Sequence, residues 1–207
     1  MLVANKLTIE EYYDLRNSYI DRNLYLSIFE ISAPRGFGDK WALGHLMQIV
    51  PEFQRPNKNL DPSYSNDYDL WLSFIYKENV QHGIRIEVKA SRAVDFKRPD
   101  DPLYLKALSS DSKRRFDMNF QQIKPTCAAV FIWIAVWRDK IQHWVLSSDE
   151  VKNNKYFSEG QHRGNVGEGQ LHLNEKNISD FVSYEVESTS IKRAIIDAYH
   201  RQKKISF

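Results

Sequence analysis

The 207-residue sequence lacks the features that mark several classes of protein. It contains one cysteine, Cys127, which excludes an internal disulfide framework and a zinc site built from several cysteines. No run of about 18 apolar residues is present, so we expect no membrane span. The first residues also lack the basic-then-apolar pattern of a secretion signal. These absences predict a cytoplasmic protein that does not enter a membrane.

Charge is nearly balanced over the chain but is unevenly distributed. The formal net charge is +2, so the protein as a whole is not a polycation. Between Arg85 and Lys124, however, ten Lys or Arg residues stand against six Asp or Glu. No repeat or linker interrupts the sequence, which predicts a single domain over 1–207. Its expected parts are a helical N-terminal part (about 1–50), a central core (about 64–150), and a C-terminal loop and helix (151–207).

Apolar patterning predicts both helices and strands. The predicted elements are a helical segment in 8–31 capped by Thr8, a short helix capped by Asp39, a loop at 51–67, strands at 68–76 and 84–91, an irregular segment at 92–108, a helix from Ser110 or Asp111 to Ile123, strands at 127–137 and 141–147, a short helix after Ser147 or Ser148, a loop or hairpin at 159–173, and a helix at 188–204. This order predicts an α/β fold with a mixed central sheet flanked by helices.

The predicted strand RIEVKAS, residues 85–91, places a carboxylate and an ammonium group on one face. Residues two apart in a strand point the same way, so Glu87 and Lys89 are neighbours. If Asp69 pairs with Glu87, the hairpin turns at residue 78, and the two carboxylates lie within about 4.5–8 Å. Paired carboxylates suit Mg²⁺, which takes one or two of them together with waters and phosphate oxygens. The backbone carbonyl of Val88 is a further candidate ligand.

An acidic residue, a hairpin, Glu-Val-Lys, a helix and an apolar strand, in this order, resemble the PD-(D/E)xK nuclease superfamily, which includes many type II restriction endonucleases. Asp69 matches the first acid of the motif, Glu87 the second and Lys89 the lysine. Tyr68 stands where the motif has proline, and this leaves Asp67 as an alternative first acid. The resemblance implies a restriction-endonuclease-like core and Mg²⁺-dependent hydrolysis of double-stranded DNA, with Lys89 orienting or activating the attacking water. A restriction enzyme would also be a homodimer.

Other residues are weaker candidates for this chemistry. Glu30 is a candidate for an extra carboxylate at the metal site, although a surface glutamate is the simpler interpretation. Gln121 and Gln122, on the predicted helix after Lys89, would contact a phosphate or the lysine, or would simply be solvated. Phosphate contacts are expected from basic residues, and base contacts from the glycine-rich loop. The candidate DNA-binding residues are Lys97, Arg98, Lys106, Lys113, Arg114 and Arg115, followed by His162, Arg163, Asn165 and Gln170.

Other functions remain open at this point. A repair or recombination nuclease with the same core would act on branched or nicked DNA. A catalytically silent DNA-binding or assembly protein would keep the fold without the reaction. A nuclease based on His143, His162 or His172 would need a compact metal-binding set, which the neighbours of these histidines do not provide. The sequence also lacks the ATP-binding pattern G-x-x-x-x-G-K-[ST], which favours a stand-alone restriction enzyme.

Overall fold

The computed structural model describes residues 7–33, 36–76, 80–160 and 167–203. The strands are β1 (Leu70–Tyr76), β2 (Val80–Arg92), β3 (Val94–Asp95), β4 (Phe116–Ile123), β5 (Val130–Val136), β6 (Ile141–Ser147), β7 (Phe157–Glu159), β8 (Gly169–Asn174) and β9 (Glu185–Val186). The helices are α1 (Ile9–Asp21), a π-helix (Gly36–Ala42), α2 (Leu43–Ile49), α3 (Ser148–Lys152) and α4 (Ile191–Lys203), with 3₁₀ turns at Leu26–Glu30, Leu103–Leu105, Ile178–Tyr184 and Ser188–Ser190.

The strands form two sheets. The larger sheet has the order β1-β2-β5-β6-β9 and is mixed, because β2 and β5 run parallel while the other neighbours are antiparallel. The smaller sheet has the order β3-β4-β8-β7 and is antiparallel. The predicted α/β class and mixed sheet with flanking helices are therefore confirmed. No helix in the described part of the chain is long and apolar enough to cross a membrane.

The β1–β2 hairpin has the predicted register. Leu70 pairs with Ile86 and each later pair keeps the same offset, which places Asp69 beside Glu87. A side chain at Gly83 would collide with the Trp71 ring, so the ring lies across the bare glycine backbone. The Trp71 indole N–H donates to Ser73 Oγ at 3.0 Å, and this holds the ring there. Glycine is thus required in the strand at this close approach.

Hydrophobic cores cover both faces of the larger sheet, which explains why β5 is buried throughout. On one face, the apolar residues of β2 pack with those of α2 and α4. On the other face, Phe131 and Trp133 pack against the smaller sheet. Trp133 stacks on Phe120 with ring centroids 5.4 Å apart. Trp133 and Trp137 are therefore core residues.

Helix starts were predicted well where a capping box is present. Thr8 caps α1 and Ser147 caps α3, and in each case the glutamate three residues later bonds back to the cap, as the capping box requires. The prediction for Asp39 is wrong, because Asp39 lies inside the π-helix that starts at Gly36. The predicted helix at 188–204 is α4, which starts at Ile191.

The predicted helix from residue 110 to Ile123 is wrong, because this segment contains strand β4. The prediction used Ser110 or Asp111 as a cap and Pro125 as a stop, and the helical spacing of Phe116, Phe120 and Ile123 is compatible with it. Met118 is also fully buried, and 116, 118 and 120 together have the two-residue period of a strand. Pairing with β8 satisfies the backbone of this strand and decides between the two patterns.

Candidate active site

The residues predicted for catalysis lie in a cleft of about 660 Å³. Asp69, Glu87 and Lys89 all line this cleft. Its other walls come from β4 and from the π-helix. The structure therefore brings the three residues of the proposed motif to one open site.

Asp69 directly precedes β1 and is fixed by the backbone of β2. Its N–H donates to the Ile86 carbonyl at 3.0 Å, and its Oδ2 accepts the Val88 N–H at 2.9 Å. In a strand, the N–H and C=O of one residue point to the same side. The Val88 carbonyl therefore faces the side on which Asp69 lies, and it stays a candidate oxygen ligand for a cation.

Glu87 is a buried acid, with 8% of its surface exposed. Burial raises the pKa of Glu87 to about 8; the Lys89 ammonium opposes this rise, and the nearby Asp69 carboxylate adds to it. Lys89 Nζ lies 2.6 Å from Glu87 Oε1. Burial and the second carboxylate favour the neutral form of Glu87. A bound cation would instead stabilise its ionised form.

The oxygen ligands at this place suit Mg²⁺ better than they suit a metal ion bound by protein side chains alone. Among the described residues, no group of three or more His, Cys, Asp or Glu side chains is placed to hold a metal ion. Mg²⁺ needs only one or two carboxylates, because waters and substrate phosphate complete its octahedron. Asp69, Glu87 and the Val88 carbonyl match this requirement.

Asp69 and Asp67 differ in their suitability as the first acid. Asp69 lines the cleft and bonds the strand residue next to Glu87. Asp67 is not among the described residues that line the cleft. Its Oδ1 is buried and has no hydrogen-bond partner among the described residues. The geometry therefore favours Asp69, which was the first choice from the sequence.

The β4 wall was predicted only in part: Gln121 and Gln122 were candidates, although on a helix, whereas Asp117 and Asn119 were not named. Asp117 and Asn119 alternate with buried neighbours and line the cleft, as do the exposed Gln121 and Gln122. His172 on β8 pairs with Asn119, so its side chain lies on the same face of the sheet, with Nδ1 2.8 Å from Asp117 Oδ1. The alternation in FDMNF was the signal that would have identified this wall.

The N-terminal wall comes from the π-helix and is held by Arg92. The Arg92 guanidinium donates to the Ile28 and Ile31 carbonyls at 3.2 and 2.7 Å and lies 4.2 Å from the centre of the Phe37 ring. This segment brings Asp39 to the cleft, an acid that the sequence reasoning used only as a helix cap. Glu30 is exposed and is not among the described cleft residues, so the structure does not bring it to the site.

The predicted basic cluster lies outside the cleft and is largely paired internally. Arg114 binds Asp95 at 3.3 Å, and Arg115 binds Glu175 at 3.0 Å. Arg98 pairs with Asp101, and the Lys106 ammonium donates to a backbone carbonyl. Lys97 and Lys113 are exposed. All six basic residues of the cluster lie away from the cleft lining: Lys97, Arg98, Lys106, Lys113, Arg114 and Arg115.

The predicted recognition loop is described only in part. His162, Arg163 and Asn165 lie outside the described residues. Gln170 lies in β8, where it pairs with Ser158 of β7. The glycine-rich segment at 159–173 is thus a hairpin at least at its two ends.

His143 is buried in an aromatic stack rather than in a polar site. Its Nε2 lies 3.0 Å from His45 Nε2, and the stack continues through Trp41 to Phe37. Burial lowers the pKa of His143 to about 4, and His45 adds to the lowering. This environment favours the neutral imidazole, and no carboxylate of the described residues is hydrogen-bonded to His143, so it gives no support to a nuclease based on His143.

Sequence comparison adds no relative to this picture. The chain matches no protein-family model and no curated protein.

Proposed function

We propose that this chain is a Mg²⁺-dependent endonuclease of the PD-(D/E)xK type that hydrolyses phosphodiester bonds in double-stranded DNA. One observation carries the proposal: Asp69, Glu87 and Lys89 meet at an open cleft, with the lysine 2.6 Å from the buried glutamate. Paired acids with an adjacent lysine serve reactions in which a cation and an ammonium group face a phosphate.

The residues of the hairpin have two roles, which are cation binding and stabilisation of the charge that develops in the reaction. Asp69, Glu87 and the Val88 carbonyl would hold Mg²⁺, which when bound polarises the phosphate and lowers the pKa of a bound water. Lys89 is not a metal ligand, because its ammonium group has no lone pair. It donates a hydrogen bond to the attacking water or a phosphate oxygen, and its charge offsets the negative charge that develops at phosphorus. No covalent intermediate is needed.

The chain departs from the proposed motif pattern between β2 and the parallel strand β5. The smaller sheet, through β3 and β4, occupies the place where the resemblance implied a helix. The proposed restriction-endonuclease-like core therefore consists of the β1–β2 hairpin and the parallel β2–β5 pair. A restriction role adds a homodimer to the proposal, because a two-fold symmetric site in DNA needs two active sites.

Digestion of supercoiled plasmid with and without Mg²⁺ tests the proposal. Discrete linear fragments that appear only with Mg²⁺ are expected from a restriction enzyme. Cutting confined to branched or nicked substrates would show a repair or recombination nuclease, and no cutting would leave only a DNA-binding role. Glu175→Gln is the control variant for the loss of an acid. It neutralises a glutamate that pairs with Arg115 away from the cleft.

A further inference from the structure

Helix α1 carries an apolar surface that the described part of the chain leaves uncovered. None of its thirteen residues, Ile9–Asp21, is buried. Six large apolar residues of this helix are 41–67% exposed: Ile9, Tyr12, Tyr13, Leu15, Tyr19 and Ile20. Leu24, in the turn that follows, is 56% exposed. An unpacked helix of this length is only marginally stable in water, so α1 needs a surface to pack against.

These six residues and Leu24 form one stripe, which we call the α1 stripe. At about 3.6 residues per turn, they lie within about half of the helix circumference. The opposite side carries Glu10, Asp14, Ser18 and Asp21. This two-sided pattern is typical of a helix that buries one face, and an exposed apolar patch of this kind is typical of an interaction surface.

The size and the charge of α1 indicate what covers the stripe. Its exposed apolar surface is on the order of 800 Å², which is about the area that each partner buries in a stable protein interface. Residues 9–22 contain four acids and two arginines, a net charge of −2. This charge disfavours DNA and anionic lipid surfaces as partners, so a protein surface fits the stripe better.

A second copy of α1, packed antiparallel, covers the stripe with matching apolar residues. Because the two helices run in opposite directions, the numbers of facing residues keep a constant sum. If Tyr13 lies opposite Ile20 of the second copy, Ile9 therefore lies opposite its Leu24. Each of these contacts forms twice, as the two-fold symmetry of a homodimer requires.

The same register also pairs the charges at the border of the stripe. Glu11 and Arg22 lie on one flank, and like flanks face each other in an antiparallel helix pair. Glu11 then faces Arg22 of the second copy. The Glu11 carboxylate is held in place because its Oε2 accepts the Thr8 N–H at 2.7 Å, and it can accept further bonds. Arg16, inside the stripe, faces Asn17 of the second copy, whose amide oxygen can accept from it.

We propose that α1 is the surface through which two copies of this chain form a dimer, with the helices antiparallel and Tyr13 opposite Ile20. The inference rests on the proposed function for its homodimer and adds the surface and the register of the contact. The dimer needs neither DNA nor Mg²⁺, so it can be measured apart from cleavage.

Two substitutions of the same kind on opposite sides of α1 test the surface. Ile20→Glu places a charge in the stripe, whereas Ser18→Glu, the matched control, places it on the opposite side. Sedimentation equilibrium without DNA should give twice the chain mass of 24.4 kDa for the wild type and for Ser18→Glu, but the chain mass for Ile20→Glu. Because Ile20 is exposed, Ile20→Glu should stay folded, with wild-type tryptophan emission.

Disulfide cross-linking tests the register. In the double variant Tyr13→Cys, Ile20→Cys, each introduced thiol faces the other position across the dimer, so oxidation should give a covalent dimer on a non-reducing gel. The two positions are about 10 Å apart along one helix, which is too far for a disulfide within one chain. The same separation divides two copies of either position, so neither single variant should cross-link.

A monomeric wild-type chain would overturn the inference and leave the stripe to a different protein. A dimer that Ile20→Glu leaves intact would also overturn it, as would single-cysteine variants that cross-link as readily as the double variant. Mg²⁺-dependent plasmid cleavage in any of these cases would still support the nuclease. A dimer with the expected properties that never cuts DNA would support the inference and contradict only the proposed function.

Discussion

Glu87 and His143 are both buried titratable residues of the larger sheet, but their surroundings differ. Burial disfavours the charged form of each, and so it raises the pKa of Glu87 to about 8 and lowers that of His143 to about 4. Glu87 has a lysine, a second carboxylate and an open cleft beside it. Among the described residues, the partner of His143 is another histidine within an aromatic stack. A shifted pKa therefore marks a reactive site only where charged partners and access to solvent accompany it.

The largest expected effect comes from removing the carboxylate from the first of these two environments. Glu87→Ala should abolish plasmid cleavage, because it removes one of the two acids that hold the cation. DNA affinity should fall little or improve, since the variant removes an acid whose ionised form would repel phosphate. Cleavage by gel assay and binding by anisotropy test this prediction. His143→Phe is the matched variant and should cut at close to the wild-type rate. Equal losses of cleavage in both variants would contradict the difference between the two environments.

Lys89 should show the next largest effect, because it acts on the charge of the transition state rather than on metal binding. Roles of this kind are typically worth about 10²–10⁴ in rate, so Lys89→Ala should cut at least about a hundredfold more slowly. Lys89→Arg should restore little activity, because a planar guanidinium does not occupy the position of a compact ammonium. Single-turnover cleavage rates measure the effect, and metal binding should remain. A near-wild-type rate for Lys89→Ala would remove lysine from the mechanism.

His143 should affect stability rather than catalysis. Its pKa is about 4 in the folded protein against 6.5 for an ordinary histidine, so the unfolded chain binds more protons between these values. The stability that this group contributes is full above about pH 6.5 and is lost as the pH falls towards about 4. The loss amounts to at most about 3 kcal/mol. Urea midpoints at pH 7.5 and 4.5 should fall less for His143→Phe than for the wild type; parallel slopes would contradict the buried neutral histidine.

The smallest effect is expected from surface charges outside both buried environments. Arg114 and Arg115 are already paired with Asp95 and Glu175. Replacing both arginines with glutamine should therefore change the salt slope of DNA binding by less than about one unit per residue. The double variant Lys97→Gln, Lys113→Gln is the comparison, because both lysines are exposed. Its salt slope should fall by about one unit for each phosphate contact that these lysines make. A larger change from the arginine pair would place their segment on the DNA.

Prediction from sequence succeeded where local signals agree with one another. The alternating runs around 77–79 set the hairpin register and placed Asp69 beside Glu87. The capping residues Thr8 and Ser147 fixed two helix starts. The apolar run at 127–137 predicted a strand, and the structure has β5 there, buried throughout. In these cases neighbouring residues in the sequence carry the information.

Prediction failed where distant contacts decide between two local patterns. The segment around Phe120 fits a helix and a strand alike, and only the pairing with β8 selects the strand. The bulge between Phe120 and Ile123 follows from that pairing and was therefore invisible in the sequence. Asp39 and Asp117 reach the cleft through elements whose positions depend on the whole fold. The two carboxylates of the hairpin and the glutamines of β4 were named from the sequence, but Asp117 and Asn119 were not.

The hydrogen bond from the Val88 N–H to the Asp69 carboxylate has a spectroscopic consequence. A backbone amide that donates to a side-chain carboxylate reports the state of that carboxylate through its ¹H and ¹⁵N chemical shifts. In a nuclear magnetic resonance titration with Mg²⁺ alone, the Val88 cross-peak should therefore move early and far. The Ile84 amide, deeper in the same hairpin, should remain nearly still. Cation binding at the cleft thus becomes observable at a single peptide group, without DNA and without turnover.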